Sequence, residues 1–448
     1  MKRQSLTALI FVLMLSILAA CGGNGGSNES GEPAKTPAAT QKSSEAVVKE
    51  DPAQMSGEIS WLVFETPNYT TDFYKKVIAN FNAKYPNIKV KTELFAAGDR
   101  KAQMNAMYAS GQLPDVMIDA VDSLATIDGA LLDLPADLTD QFMEQGLIKF
   151  NDKIRYLPTT TQIKMGVYYN KDKFDKYGLS EPKNWDEFTN IMKTLKDNGE
   201  IPIVTGGPDK PWLTGSLPST VVDLQLSEKY GDTTGIYKAI YDGELKFTDE
   251  AIANPAKEWL QLVEKGYYHP GTLSFTMAQM NDAFMHGDAA MLVNGIWLAP
   301  ILDGAELPFQ AGWFPVPTKN SADKYILTYN GAMGISGKTK YPEQALAFLR
   351  FFYEDKETYG MYLKADGVSG ALKENPTYES GPYTSMIYEK VKGLTAISGN
   401  ISDSKYIRPK GVSTDVMYQN LFAGAKLDDE LHKIQKAYDD GLKMEGRK

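Results

Sequence analysis

Catalysis would need a nucleophile, an acid and base pair, a metal-ligating cluster or a phosphate cradle, and the chain offers little toward any of them. Its three histidines, His269, His286 and His432, are never paired at the i, i+4 spacing that grips zinc from one helix face. Cys21 is the sole cysteine, so neither a thiolate cluster nor an intramolecular disulfide can form. Gly337-Lys338-Thr339 has the ending of a phosphate-binding loop, but the required first glycine falls on Ala332 and the cradle is incomplete. Gly367-Val368-Ser369-Gly370 lacks the spacing that exposes a strained serine nucleophile. Paired carboxylates for glycoside hydrolysis meet only in space, and 57 Asp and Glu are too many for their presence to count as a signal. No cofactor is expected.

The elements that would position any site begin after a processed-looking start. At 448 residues the chain has length for two or three domains. Its 47 basic against 57 acidic residues, a formal charge of −10, disfavour nucleic acid as a partner. Lys2 and Arg3 precede an apolar run from Leu6 to Leu18, which is the size of a signal-peptide core and short of the roughly 20 residues of a membrane span. The run ends in Leu18-Ala19-Ala20-Cys21-Gly22, which resembles the lipobox of bacterial lipoproteins. That resemblance implies removal of residues 1–20 and a diacylglycerol on Cys21; the alternative is a secreted chain with an incidental thiol. Without residues 1–20 the chain has 45 basic and 57 acidic residues, a charge of −12. From Gly22 to Met55 there is no aromatic residue, so 21–55 reads as a disordered tether, about 30 Å from end to end as a flexible coil.

Beyond it, strand-like and helix-like patterns alternate. Ile59 to Phe64 is apolar and β-rich; Phe73, Val77 and Phe81 then recur at helical spacing until Pro86. Ile88 to Lys91 alternates, a helical stretch surrounds Met104 to Tyr108, and Val116-Met117-Ile118 is a second buried run. This βαβαβ order implies a parallel or mixed sheet covered by helices. The grammar restarts at Val167-Tyr168-Tyr169, with Phe188, Ile191, Met192 and Leu195 on one helix face and a strand from Ile201 to Thr205. Further helices are expected around Trp259, around Leu349 and from Leu431 to Leu442.

Several strings, taken in order, resemble the extracellular solute-binding proteins of group 1, which serve ABC importers and include maltose-binding protein. They are Phe81-Asn82-Ala83-Lys84-Tyr85-Pro86-Asn87, Ala109-Ser110-Gly111-Gln112-Leu113-Pro114-Asp115, Tyr168-Tyr169-Asn170-Lys171 and Pro182-Lys183-Asn184-Trp185. Phe284-Met285-His286-Gly287-Asp288-Ala289-Ala290-Met291 follows, with Gly295-Ile296-Trp297 just after. The resemblance implies an α/β chain with the two-lobe, periplasmic-binding-protein-like fold of type II, a ligand cleft and hinge crossings. Lobe 1 is mapped to 56–165 plus 326–375, and lobe 2 to 166–325 plus 376–448.

A sugar presents hydroxyls that need hydrogen-bonding partners and C–H faces that stack on rings, which suits an acidic chain with 25 Tyr and 6 Trp. Ligands of open α/β sheets sit beyond the carboxyl ends of strands. The resemblance places Trp297 on the sugar face and Asp122 on sugar hydroxyls, with Asp119 an equally short step past its strand. Glu65, Thr66 and Asn68 follow the first strand, although Asn68 could instead cap the next helix. Trp212 is read in a loop from Pro208 to Thr214 and is hard to place in a core. Gln162 and Lys164, and Tyr329 and Asn330, lie on crossings, and Gly370 with Ala371 falls where relatives offer backbone. Trp185, Trp259 and Trp313 are assigned to packing.

These readings converge on a monomeric, lipid-anchored receptor on the outer face of a cell membrane, expected on a Gram-positive surface. It would capture a carbohydrate, an oligosaccharide by preference, and deliver it to the membrane subunits of an ABC permease. An anchored carbohydrate-active enzyme and a surface sensor with the same fold are the competing readings.

Overall fold

The computed structural model describes residues 51–96, 98–207, 211–409 and 411–447. The leader, Cys21 and the tether as far as residue 50 lie outside the described residues, as does the Trp212 side chain. Strand β1 (Gly57–Val63) sends Ile59, Trp61 and Val63 into one apolar cluster and Leu62 into another, the two-residue alternation of a sheet covered on both faces. The helix Thr71–Lys84 follows, opened by the Thr70 hydroxyl accepting from Phe73 N–H at 3.3 Å and burying Tyr74, Val77 and Phe81. Pro86 is two residues past its end and cannot continue it. Strand β2 (Ile88–Leu94) pairs parallel with β1. The helix Arg100–Ser110 is capped by the Asp99 carboxylate and closed by Gly111 at φ +70°, and it leads to β3 (Val116–Ile118), also parallel to β1.

The chain then leaves this sheet. Strand β4 (Thr160–Ile163) is a crossing, and β5 (Gly166–Asn170), β6 (Ile201–Val204), β7 (Ala289–Asn294) and β8 (Ala311–Pro315) build a second four-stranded sheet in the order β6-β7-β5-β8. Strand β9 (Lys324–Asn330) crosses back antiparallel to β4, and β10 (Met333–Ile335) completes the first sheet antiparallel to β3. Strand β11 (Thr395–Ser398) joins β9 in parallel, so β11-β9-β4 is a sheet of its own between the other two. The sheets are therefore mixed, and the expected βαβαβ opening is present.

Both sheets bury both faces. In the second, Tyr168, Leu292 and Trp313 enter the cluster that also holds Trp61, while Val167, Tyr169, Met291, Val293 and Phe314 enter another. The long helices Glu250–Glu264, Pro342–Glu354 and Leu427–Met444 cover these faces with Trp259, Leu349 and Tyr438. Trp185, Trp259 and Trp313 are all buried, in keeping with the packing role expected of them. No helix among the described residues is long and apolar enough to cross a membrane.

Two expectations need correction. The folded part begins before residue 56: Met55 is buried in the Trp61 cluster, and Ala53 O accepts from Asn87 Nδ2 at 2.8 Å. Trp212 stands in the first turn of the helix Pro211–Tyr230, not in a loop, because proline suits a first helical position, where no intrahelical N–H is needed.

Gly331, between β9 and β10, has φ +67°, and a Cβ there would lie 2.0 Å from Thr159 Oγ1. That hydroxyl donates to Asn330 O at 3.1 Å. Gly331→Ala combines a left-handed alanine with this clash and should cost at least about 1–2 kcal/mol. A urea titration checks it, and an unchanged midpoint would refute the strain.

Candidate functional site

The carboxyl ends of β1 and β3 are tied together by a cation from the helix between them. Arg100 lies with its guanidinium 4.4 Å from the Phe64 ring centroid and its Nε 2.9 Å from Asp119 Oδ2. Lys101 Nζ is 2.6 Å from Asp122 Oδ2 in a pair open to water on both sides, which screens it and leaves it weak. Asp119 and Ala120 have φ of +70° and +58°, two consecutive non-glycine residues in the left-handed region. Such strain costs of order 1–3 kcal/mol per residue and clusters where side chains must be aimed.

The loop after β1 divides its expected residues by role. Thr66 Oγ1 accepts from Asn68 N–H at 3.2 Å and Tyr69 N–H at 3.0 Å, fixing the turn. Glu65 accepts from Thr71 N–H at 2.9 Å and from the Thr71 hydroxyl, so it serves the following helix. Asn68 does not cap that helix, since Thr70 does. Its Nδ2 instead donates to Asp366 Oδ1 at 2.8 Å and to Trp297 O at 3.2 Å, joining the end of β1 to the turn beyond β7. Trp297 is half-buried on that turn, Ile296–Leu298, and packs against the cluster beneath the second sheet. Its ring takes the space over Gly295, where a Cβ would lie within 2.2 Å.

On the crossing, Gln162 is only 6% exposed, yet among the described residues its amide has no hydrogen-bond partner and is not sealed from solvent. Its neighbour Thr161 donates from Oγ1 to Gly370 O at 3.2 Å and exchanges backbone bonds with Ser369. The Gly370 carbonyl is thereby occupied, and a Cβ at Gly370 would meet Asn375 Oδ1 at 1.8 Å. Ala371 N–H donates to Tyr359 Oη at 2.9 Å. Tyr329 turns away from an open role: its ring fills the space over Gly146, and its hydroxyl lies 3.7 Å from Met143 Sδ. Asn330 is exposed, and its carbonyl accepts from Thr159.

Three residues engaged around the candidate site, Arg100, Asp366 and Asp223, were outside the sequence expectations. Arg100 needed the fold to reach β3. Asp366 carried a visible signal: it ends the helix Lys356–Asp366 just before Gly367, a carboxylate at the negative end of the macrodipole. Burial pushes its carboxyl up to about 6, with Asn68 and Tyr69 pulling the other way. Lys164 Nζ lies 3.6 Å from Asp223 Oδ2, and burial also raises the Asp223 carboxyl. Two cavities of ≈130 and ≈60 Å³ lie elsewhere, one against Leu132 and Leu346 and one against Tyr108 and Lys338. Of the candidate residues, Thr66, Asn68 and the Trp297 carbonyl are joined by hydrogen bonds, whereas Asp119, Asp122 and Glu65 are bonded to residues outside the set. Among the described residues no group of His, Cys, Asp and Glu is placed to hold a metal ion.

Asp366 sets a pH dependence. The folded chain keeps its proton up to about 6, whereas a freely hydrated carboxyl loses it near 3.8, so stability falls as pH rises through that window. Asp366→Asn retains an acceptor for Asn68 and has no proton to lose. Relative to the parent, the variant should gain stability as pH rises from about 4 to about 7, read from urea midpoints. A difference that stays constant with pH would disprove this.

The geometry joins strand ends of two sheets across a crossing sheet, and the comparisons agree with it. The family model for bacterial extracellular solute-binding proteins matches residues 67–359. The multiple sugar-binding protein of Streptococcus mutans is 25% identical over 314 residues, covering 67% of this chain and 72% of that protein. A chitin oligosaccharide binding protein superimposes with a TM-score of 0.73 at 23% identity, covering 86% of this chain and 99% of that one. RafE in complex with raffinose gives 0.66 at 20% identity, with 86% and 98% covered. The chain has their two-lobe fold, and it belongs to the bacterial extracellular solute-binding protein family.

Proposed function

We propose that the protein is a membrane-anchored receptor that closes its two lobes on a carbohydrate, an oligosaccharide by preference, and passes it unaltered to the permease of an ABC importer. The observation that carries this reading is the hydrogen bond from Asn68 Nδ2 to the Trp297 carbonyl, which brings an amide and the turn bearing an aromatic ring together from the ends of strands in different sheets. A hydroxyl-rich ring needs both kinds of partner. Gln162 adds a buried amide with no hydrogen-bond partner among the described residues, and Asp119, Asp122 and Asn330 add acceptors near exposed edges; Trp212 completes the proposed set. Lobe 1 is taken as the folded part up to 165, from its corrected start before residue 56, plus 326–375, and lobe 2 as 166–325 plus 376–448. Cleavage after residue 20, lipid on Cys21, a tether that ends short of Ala53, a monomeric state and a Gram-positive surface belong to the same proposal. The sugar-binding names of the relatives support the ligand class.

Binding must favour the closed form over the open one, since equal affinity for both shifts nothing. The test is thermal shift with chito-oligosaccharides, raffinose and xylo-oligosaccharides, followed by product analysis. A ligand at 100 times its dissociation constant adds about 2.7 kcal/mol to stability. Trp297→Ala should weaken binding by roughly 10-fold or more, and Gln162→Ala by about 3- to 10-fold. Recovery of a cleaved sugar, or no shift with any member of the panel, would overturn the proposal.

A further inference from the structure

The segment after β11 is wedged between the lobes. It leaves the crossing sheet with Gly399 N–H donating to Leu327 O at 2.8 Å. The Asn400 side chain then continues the pairing, accepting from Tyr329 N–H at 2.6 Å and donating to Tyr329 O at 2.8 Å. On the second-lobe side, Thr234 Oγ1 donates to Asn400 O at 3.1 Å and accepts from Ser402 N–H at 3.0 Å. Tyr406 meets Tyr241 edge-on at 5.6 Å between ring centroids, and Lys405 Nζ lies 5.2 Å from the Tyr241 centroid. On the first-lobe side, the backbone of Asp403 forms a parallel β-bridge with Lys149. Ile407 packs against the cluster of Leu62, Met117, Val121, Phe150 and Tyr156, beneath the rim that carries Asp119 and Asp122. Arg408 then returns to the second lobe, its Nη1 donating to Thr414 Oγ1 at 3.2 Å and its guanidinium 5.5 Å from the Tyr237 centroid.

Consecutive residues Tyr406 and Ile407 therefore enter apolar clusters that belong to different sheets. We infer that residues 399–409 are a strap that ties the two lobes together without ligand, and that opening the cleft requires Ile407 to leave its seat on the first lobe. The strap is anchored at the crossing sheet and on the second lobe by hydrogen bonds and ring contacts. Beyond strand β9, its attachment to the first lobe among the described residues is one apolar side chain and one bridge, so that is the joint that yields. Every contact it makes with the first lobe stabilises the closed arrangement whether or not a sugar is present.

The test needs no sugar, so its outcome is independent of the ligand reading. Hydrogen exchange and small-angle scattering are measured on the full chain and on Ile407→Ala. Phe150 and Lys153 exchange backbone hydrogen bonds beside the seat and serve as reporters. Their amides, with those of Asp403 to Ile407, should exchange at least about 10-fold faster in the variant, and the radius of gyration should rise. Ile407→Val, which keeps most of the contact, should lie between parent and Ala, and serves alone should the Ala variant fail to fold. Faster exchange confined to 403–407, with Phe150, Lys153 and the scattering curve unchanged, would show that the segment rests on the first lobe without tying it and would overturn the inference. Parent-like exchange throughout would do the same.

Discussion

The chain has to leave its first sheet and come back to finish it. Strand β10 lies beside β3 only after the whole second sheet has been laid down, and the sheet β11-β9-β4 is where the departures and the return run side by side. Neither lobe is a contiguous piece of sequence, so each depends on the pairing of β4 with β9. That pairing is short, at most a few ladder bonds, and is supplemented by side chains doing backbone work: Thr159 bonds to Asn330 O, and Asn400 pairs with both backbone groups of Tyr329. A sheet held this way suits the proposed closing motion, because its bonds lie on the crossing itself and leave the angle between the lobes unlocked.

Within that frame the candidate site is built on an electrostatic compromise. Asn68 spends its two amide hydrogens on a carboxylate of its own lobe and a carbonyl of the other. A lysine there would pair strongly with Asp366 and resist release, whereas an amide makes bonds of ordinary strength to both. Asp366 is itself partly relieved of charge by burial, which weakens its hold on Asn68 further as pH falls. The outer carboxylates behave differently: Asp119 and Asp122 are each matched with a cation from one helix, the first in a half-buried pair whose Arg100 also covers Phe64, the second in an exposed pair that costs little to replace.

Much of the fold was legible because hydrophobic period and turn chemistry agree locally. The opening strands, the helix ended by Pro86 and the helix face of Phe188, Ile191, Met192 and Leu195 all stand where alternation and helical spacing put them. Trp212 was misread because Pro and Gly nearby look like loop residues, whereas Pro211 opens a helix. At the candidate site, strand ends point to loops that the fold brings near one another, whereas which of their atoms are already engaged depends on local geometry. Tyr329 had the chemistry of a ligand contact and packs over Gly146; Glu65 and Thr66 are consumed by turns, which only local geometry reveals. Asp366 and Arg100 act across hundreds of residues or between strands, and no local pattern encodes such a meeting.

A receptor of the proposed kind faces a limit set by its own closed state. Contacts such as Asn68 to Trp297 O are made between the lobes, not to a sugar, and so lower the energy of closure for every ligand alike. If they were strong, the empty protein would sit closed and a sugar would have to wait for rare openings, slowing capture. If they were absent, each ligand would have to supply all the energy of closing, and affinity would fall by the fraction of protein that is closed beforehand. The Asn68 hydrogen bond and the Ile407 seat are neutral contacts of intermediate worth, added to the apolar cluster that Trp61 shares with Trp313. On the proposed function, discrimination falls to a candidate-site group that has no hydrogen-bond partner among the described residues, the Gln162 amide, because a polar group left unpaired on closure penalises every solute that cannot satisfy it.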